Sequence, residues 1–204
     1  MKLYYKPGAC SLASHIVLRE TGANFDLEQV DTKAMTTAGG EDYSTVNPKG
    51  YVPALRIDDG RILTEGAAVL QYIADLHPIA NLAPRAGTFE RSKLHERLNF
   101  VSSELHKAFG PFFASAPLAG EARALAEANV VTKLGHFETV LADGRHYLGG
   151  DTFSVADAYL FVVSNWSNFV GISLDRLPSM KAFVARVAER PKTQDAMRAE
   201  GLLG

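Results

Sequence analysis

The most constraining feature of this sequence is a change of pattern at residues 77–87, a segment rich in proline, alanine and glycine. Before this segment, short runs with strand character alternate with helical runs. After it, the apolar residues recur only with helical spacing. Since 204 residues are enough for two small domains, we expect an α/β domain over residues 1–80 and an all-helical domain over residues 88–204.

The α/β part has the order βαβ, then a long connection, then a β-hairpin and a helix. Asp59-Gly60 separates the two hairpin strands, and this dipeptide suits a type I′ turn. Gly22 stands where a glycine would end the first helix. The order predicts a mixed sheet of four strands with helices packed on it. The predicted strands are residues 2–6, 25–28, 52–58 and 61–64, the predicted helices end at Gly22 and Leu76, and residues 32–50 are an irregular connection.

The second part contains four segments with helical periodicity, at residues 89–113, 121–142, 155–169 and 178–190. The first of them carries a polar stripe of short or imidazole side chains: His95, Asn99, Ser103 and His106. Lysine and glutamate usually dominate a solvated helix face. The stripe therefore indicates a cleft or a subunit interface, although an ordinary exposed face stays open as an alternative.

Charge and cysteine content exclude several classes of function. The net charge is -2, and without a basic stripe we expect no nucleic-acid partner. The apolar runs are too short to span a membrane. Cys10 is the only cysteine, so the chain needs no oxidising compartment. Pro7 and Gly8 interrupt the N-terminus where a signal peptide would be apolar, and we expect a cytoplasmic protein that needs no metal.

Cys10 follows the first predicted strand and begins the first predicted helix. Unpaired N–H groups and the helix dipole favour a thiolate at this point, so the pKa of such a thiol is expected to be lowered. Ser11 places a hydroxyl beside it. The alternative is that Cys10 is a small buried apolar residue.

Two further segments could hold a ligand through backbone groups and charge. A cis peptide bond at Val52-Pro53 would expose the backbone of Val52 to an extended, peptide-like ligand, although a trans proline at a strand start is the simpler interpretation. Glu65 could bind an ammonium group, and the N–H of Gly66 at a helix start could bind a carboxylate. Glu65 could equally complement the helix dipole.

These segments resemble those of the cytosolic glutathione S-transferases, specifically the bacterial beta class. The resemblance covers essentially the whole chain, in order. It is carried by residues 2–14 (KLYYKPGACSLAS), 47–55 (NPKGYVPAL), 63–66 (LTEG), 104–106 (ELH) and 153–159 (FSVADAY).

The resemblance implies a thioredoxin-like N-terminal domain with a cis Pro53, an all-helical C-terminal domain and a homodimer. It implies glutathione as cosubstrate, and Ser154 with Asp157 as a helix cap. The catalytic residues implied are Cys10, Ser11 and His106. Cys10 would lie beside the glutathione sulfur, and the helix N-terminus with Ser11 and His106 would stabilise its thiolate. The glutathione-binding residues implied are Cys10, Val52, Pro53, Glu65, Gly66, Asn99, Ser103, Glu104 and His106.

The activity implied is conjugation of glutathione to small hydrophobic electrophiles in detoxification, with accessory thiol–disulfide exchange through Cys10. Two alternatives stay open: a primarily redox thiol transferase or dehalogenase, and a non-catalytic module that binds hydrophobic ligands. Met35 departs from the family, which often has a lysine there for the glycyl carboxylate, and Lys33 could replace it. Gly66 stands where serine is frequent. Aromatic side chains that could line an apolar pocket or belong to the core are Phe112, Phe113, Tyr159, Trp166 and Phe169.

Overall fold

The computed structural model describes residues 1–203, which fall into two compact units. The first, called here the sheet unit, contains residues 1–83 and the C-terminal segment from Glu189. The second, the helical unit, contains residues 84–188. The C-terminal segment thus differs from the predicted range 88–204, because it packs within the sheet unit instead of the helical unit.

The sheet unit is built on a mixed sheet with the strand order β3-β2-β1-β4-β5. β1 pairs in parallel with β2, with Leu3 opposite Leu27, and antiparallel with β4, with Leu3 opposite Leu55. β2 with β3 and β4 with β5 are antiparallel pairs. The strands are β1 (Lys2–Tyr5), β2 (Asp26–Asp31), β3 (Thr36–Thr37), β4 (Ala54–Arg56) and β5 (Ile62–Thr64).

Two details of the sheet differ from the prediction. The sheet has five strands instead of four, since β3 forms inside the segment predicted to be irregular. The hairpin turn is not type I′, because only Gly60 has a positive φ, of 88°. The N–H of Gly60 bonds the carbonyl of Ile57 at 2.9 Å, and the N–H of Ile57 bonds the carbonyl of Arg61 at 3.0 Å. This is a type I turn followed by a glycine bulge.

Three helices belong to the sheet unit: α1 (Ser11–Thr21), α2 (Gly66–Leu76) and α8 (Pro191–Ala199). Gly22 ends α1 in the left-handed conformation with φ 69°, as predicted. α8 was not predicted, and it packs on α1. The α/β character of this part and its thioredoxin-like arrangement are confirmed.

The helical unit contains the remaining helices, and its all-helical character is confirmed. The first long helix is interrupted by a π-helical turn at residues 101–105, and a short 3₁₀ segment follows at residues 110–113. The helices are α3 (Phe89–Phe100), the short α4 (His106–Ala108), α5 (Gly120–Leu141), α6 (Val155–Val170) and α7 (Pro178–Ala188).

Helix α6 forms the centre of the helical unit, with twelve buried residues among its sixteen. Asp157 in its first turn accepts hydrogen bonds from the backbone N–H and the hydroxyl of Ser154, at 2.9 and 2.6 Å, and from the N–H of Leu148 at 2.7 Å. The expected capping box is thus present. Within residues 1–203, no helix is both long and apolar enough to cross a membrane.

Candidate functional site

The loop between β1 and α1 places Cys10 at the start of α1. Pro7 and Gly8 occupy the centre of a tight turn in which the N–H of Ala9 bonds the carbonyl of Lys6 at 3.0 Å. Gly8 has a φ of 70°, a conformation that glycine adopts without a steric penalty. The sequence Pro-Gly therefore makes the strand turn directly into the helix and brings the thiol to its first turn.

The pKa of Cys10 is raised to about 12, which contradicts the predicted lowering. Burial is the largest cause, and the charge of Glu65 adds to it. The N–H groups of Cys10 and Ser11 at the helix start do lower the pKa, as expected, but burial outweighs them. The neutral Sγ–H donates a hydrogen bond to the carbonyl oxygen of Val52 at 3.2 Å.

Ser11 is fully buried and faces the preceding loop. Its hydroxyl donates to the carbonyl of Lys6 at 3.3 Å and accepts from the N–H of Lys6 at 3.2 Å. These bonds tie the end of β1 to α1. The geometry therefore gives no support to the predicted contact between the Ser11 hydroxyl and a bound sulfur.

A rigid loop before β4 presents the backbone of Val52. The buried Asn47 side chain donates from Nδ2 to the carbonyl of Tyr51 at 2.7 Å and accepts from the N–H of Lys49 at 3.2 Å. The hydroxyl of Tyr43 also donates to the carbonyl of Tyr51, at 2.7 Å. The bond between Val52 and Pro53 is cis, as the resemblance implies. No partner of the Val52 N–H is found within residues 1–203.

Glu65 and Gly66 lie where β5 ends and α2 begins. Glu65 is exposed and has a φ of 69°, a conformation uncommon for residues other than glycine. Its carboxylate forms an ion pair with the ammonium group of Lys49. A Cβ on Gly66 would lie 3.8 Å from Cδ of Pro53, an ordinary contact distance, so Gly66 adjoins the cis-proline loop and could carry a side chain.

The sheet unit therefore brings five of the predicted residues together: Cys10, Val52, Pro53, Glu65 and Gly66. Cys10 contacts Val52, and Gly66 adjoins Pro53. The cluster offers a backbone edge, a helix N-terminus, a carboxylate and a thiol. These groups can bind an extended peptide that has an ammonium, a carboxylate and a sulfur atom. In residues 1–203, no cluster of three or more His, Cys, Asp or Glu side chains suits a metal ion.

Four further predicted residues lie in the helical unit around the π-helical turn, a feature that often accompanies functional sites. Asn99, Ser103 and Glu104 are exposed. The hydroxyl of Ser103 donates to the carbonyl of Asn99 at 2.9 Å. The carboxylate of Glu104 forms an ion pair with Lys133 at 2.6 Å. Their predicted contact with glutathione stays a prediction.

His106 lies at the end of this turn in an aromatic surrounding. Its Nδ1 is 2.9 Å from the hydroxyl of Tyr159, and its ring meets the Trp166 ring edge-on at 4.8 Å between centroids. Burial lowers the pKa of His106, and the charge of Lys107 lowers it further. The imidazole is thus neutral near pH 7.

The sequence left open whether the aromatic side chains near His106 belong to the core or line an apolar pocket. Some of them are buried and others are exposed. Tyr159 and Trp166 are buried, with exposed fractions of 4% and 6%. Phe113 is 56% exposed, although its ring centroid lies 5.3 Å from that of Trp166. Phe169 is 63% exposed. The helical unit therefore has an aromatic core that reaches the surface at Phe113.

Lys49, Asn47 and Tyr43 are site residues that the sequence reasoning did not single out. Asn47 and Lys49 lie within the segment that carries the resemblance. The partner of the Lys49 side chain, Glu65, is sixteen residues away, whereas Asn47 bonds backbone atoms two and four residues away. An asparagine before Pro48 was the one local signal, since a turn often begins at such a pair.

Two protein-family models match this chain and show the family to which it belongs. The model for the glutathione S-transferase N-terminal domain matches residues 8–76, and the model for the C-terminal domain matches residues 100–191. The chain belongs to the glutathione S-transferase family. The first match covers the whole cluster of the sheet unit, and the second covers the π-helical turn with His106.

Similar proteins indicate to which class within this family the chain is most similar. Glutathione S-transferase GstA of Escherichia coli O157:H7 is 47% identical over 202 residues, covering 99% of this chain and all of that protein. The beta-class glutathione S-transferase of Sphingomonas chungbukensis is 50% identical, with a TM-score of 0.93 and complete coverage of both chains. A sphingomonad enzyme solved with glutathione is 48% identical, also with a TM-score of 0.93 and complete coverage of both chains. The predicted resemblance to the bacterial beta class is confirmed.

Proposed function

We propose that this enzyme conjugates the thiol of glutathione to small hydrophobic electrophiles. The observation that carries the proposal is the cluster of the sheet unit, in which the thiol of Cys10 contacts Val52 and the start of α2 at Gly66 adjoins the cis Pro53. The family and the sphingomonad relative solved with glutathione support it. In the reaction with an aryl halide, the sulfur of glutathione gives its proton to solvent and attacks the carbon that carries the halogen. The C–S bond forms, the C–halogen bond breaks, and halide leaves with the electron pair of that bond.

The cluster matches glutathione group by group. The backbone of Val52 pairs with the cysteinyl residue, since its N–H is available and its carbonyl has a second lone pair beside the bond from Cys10. Glu65 receives the γ-glutamyl ammonium, and the N–H of Gly66 receives the neighbouring carboxylate. This arrangement brings the glutathione sulfur close to Cys10.

Cys10 contributes as a neutral thiol. Because its pKa is raised to about 12, it keeps its proton at neutral pH. A thiol is a weak hydrogen-bond donor with one proton, so Sγ–H can turn from the carbonyl of Val52 to a neighbouring glutathione thiolate and stabilise it. Such a thiol tunes conjugation without being consumed by it.

The electrophile is proposed to contact the aromatic surface of the helical unit. Phe113, Trp166 and His106 provide apolar faces and edges there. Aromatic rings attract one another in edge-to-face and offset arrangements, which favours flat aromatic electrophiles. A neutral His106 can contribute hydrogen bonding without adding charge.

Thiol–disulfide exchange through Cys10 is a second proposed activity, and it is slow at neutral pH. Attack on a glutathione disulfide requires the thiolate, and the raised pKa of Cys10 keeps that form scarce. A primarily redox enzyme is therefore the weaker alternative. A non-catalytic module is weaker still, since relatives that are 47% and 40% identical over nearly the whole chain are named glutathione S-transferases.

A comparison of wild type with Cys10→Ala and Cys10→Ser separates these activities. Conjugation of glutathione to an aryl halide and reduction of a mixed disulfide are both measured. We expect conjugation to survive in both variants within about tenfold, because Cys10→Ala loses one weak hydrogen bond and Cys10→Ser keeps a hydroxyl donor. Exchange should disappear in both, since neither has a thiol. Loss of conjugation in both variants would favour covalent chemistry at Cys10 and a redox enzyme.

We also propose a homodimer, which the resemblance to the family supports. Light scattering should then give twice the mass of one chain in solution. A monomer at micromolar concentration would contradict this. A cytoplasmic location and a role in detoxification stay predictions.

A further inference from the structure

Lys49 and Glu65 form a charge pair inside the cluster of the sheet unit. The Lys49 ammonium lies against Oε1 of Glu65, and the two side chains are 47% and 71% exposed. An isolated exposed pair of this kind adds little to stability. The pair is therefore accessible to a ligand and is exchanged at little cost.

The position of Lys49 is fixed by the structure of its loop. Its backbone N–H is bound by the buried Asn47 side chain at 3.2 Å, and Asn47 also holds Tyr51. Gly50 follows with a φ of 74°. The lysine stem thus starts from a rigid turn three residues before Val52 and reaches the beginning of α2.

An α-amino acid end carries an ammonium and a carboxylate on one carbon atom, and the γ-glutamyl end of glutathione is such a group. The Glu65–Lys49 pair has the complementary charges at the same close spacing. When the ligand ammonium binds Glu65, its own carboxylate comes to lie beside the Lys49 ammonium. Gly66 has no side-chain hydroxyl, so this carboxylate otherwise meets only backbone N–H groups.

We propose that Lys49 is a specificity-determining residue that binds the α-carboxylate of the γ-glutamyl group. In the free protein Lys49 pairs with Glu65, and ligand binding exchanges this one ion pair for two across the site. Lys49 and Glu65 together then select thiols with a zwitterionic amino-acid end. The inference rests on the proposed binding of glutathione.

The test compares two ligands by titration calorimetry in the presence of a phosphine reductant. One is glutathione, and the other is 4-aminobutyryl-cysteinyl-glycine, which keeps the ammonium and lacks the α-carboxylate. Wild type should bind glutathione about fivefold to tenfold more tightly than the analogue. In Lys49→Met this ratio should fall to about two, since the N–H of Gly66 still receives the α-carboxylate, and Lys49→Arg should largely restore it.

The ratio of the affinities for glutathione and the analogue reports on contacts with the α-carboxylate, and its change in Lys49→Met reports on Lys49. Breaking the pair with Glu65 changes the affinity for both ligands alike, and so does any loss of folding. Lys33→Met serves as the matched control, because a role of Lys33 at the glycyl end would weaken both ligands equally.

Three outcomes would overturn the inference: a wild-type ratio of about one, a ratio in Lys49→Met equal to that of wild type, or a ratio that collapses in Lys33→Met. Wild type that binds neither ligand would instead overturn the proposed function, and this inference with it. High salt should reduce the wild-type ratio, since the contact is an exposed ion pair.

Discussion

Two local effects compete at the thiol of Cys10. The start of α1 supplies N–H groups that lower its pKa, and burial raises it. Desolvation of a charged form is the stronger effect when a group loses most of its water. The bond from Sγ to the carbonyl of Val52 gives the neutral thiol a partner as well.

This balance predicts slow alkylation of Cys10. At pH 8 the rate with iodoacetamide should be about a hundredfold or more below that of the same chain unfolded in urea, because the thiolate fraction is lower. The folded protein should show no inflection near pH 8.5, whereas the unfolded chain should. Cys10 is the only cysteine, so the label reports on it directly. An inflection below pH 8 in the folded protein would contradict the account.

The ion pair within the site was not predicted, because its two partners lie far apart along the chain. Lys49 and Glu65 are separated by sixteen residues, and they meet only because the loop before β4 and the start of α2 lie at the same end of the sheet. No local pattern encodes this meeting. Glu65 itself was predictable, since it stands at the end of a strand and the start of a helix.

At the scale of elements, the start of α6 depends on one buried carboxylate. Asp157 accepts three hydrogen bonds, from two backbone N–H groups and one hydroxyl. Burial raises the pKa of Asp157 to about 6, and those bonds limit the rise. Because α6 is mostly buried, its start is fixed by packing as well as by hydrogen bonds.

Asp157→Ala should therefore destabilise the protein by about 2–4 kcal/mol, since it leaves buried N–H groups of Leu148 and Ser154 without a partner. Ser154→Ala removes only a hydroxyl and should cost about 1 kcal/mol. Urea unfolding followed by far-UV circular dichroism measures both. Equal losses in the two variants would mean that the carboxylate has no special role.

Helix α8 and the residues after it are attached to the sheet unit by a buried network. Glu200 accepts from the N–H of Gly8 at 3.0 Å through Oε2 and lies 2.9 Å from Nδ1 of His15 through Oε1. Nε of Arg19 donates to Nε2 of His15 at 3.2 Å. Since Nε2 accepts the bond from Arg19, Nδ1 is assigned as the ring nitrogen that donates to Glu200.

Glu200→Gln should destabilise the protein by about 2–4 kcal/mol, because an amide has only one oxygen for two buried donors. The exposed Glu189 at the start of the same segment provides the control, and Glu189→Gln should change stability by about 0.5 kcal/mol or less. Chemical denaturation of both variants checks this. A Glu200→Gln protein as stable as the control would refute the structural role of the network.

At the scale of the whole molecule, the sequence predicted the elements better than their long-range partners. The glycine at Gly22 and the hydrophobic periodicity of α5 and α6 are local signals, and both predictions are confirmed. β3 has two residues and exists only through pairing with β2. The attachment of α8 depends on Glu200 meeting Gly8, far away along the chain.

The candidate site likewise combines locally encoded segments with long-range contacts. The turn at Pro7-Gly8, the loop before Val52 and the start of α2 are encoded locally. The pKa of Cys10 and the pairing of Lys49 depend on how these segments meet. Sequence motifs therefore predicted the groups that we propose to bind the ligand, but burial and tertiary contacts decide their charge.

The central claim is that glutathione, recognised through its γ-glutamyl end, supplies the nucleophile. The most direct test is the steady-state rate of thioether formation with 1-chloro-2,4-dinitrobenzene, compared between glutathione and 2-mercaptoethanol at equal thiolate concentration. The account predicts a saturable, enzyme-dependent rate with glutathione and a rate near the uncatalysed background with 2-mercaptoethanol, which has no group for Glu65 or Gly66. Equal acceleration with both thiols, or no acceleration with glutathione, would contradict it.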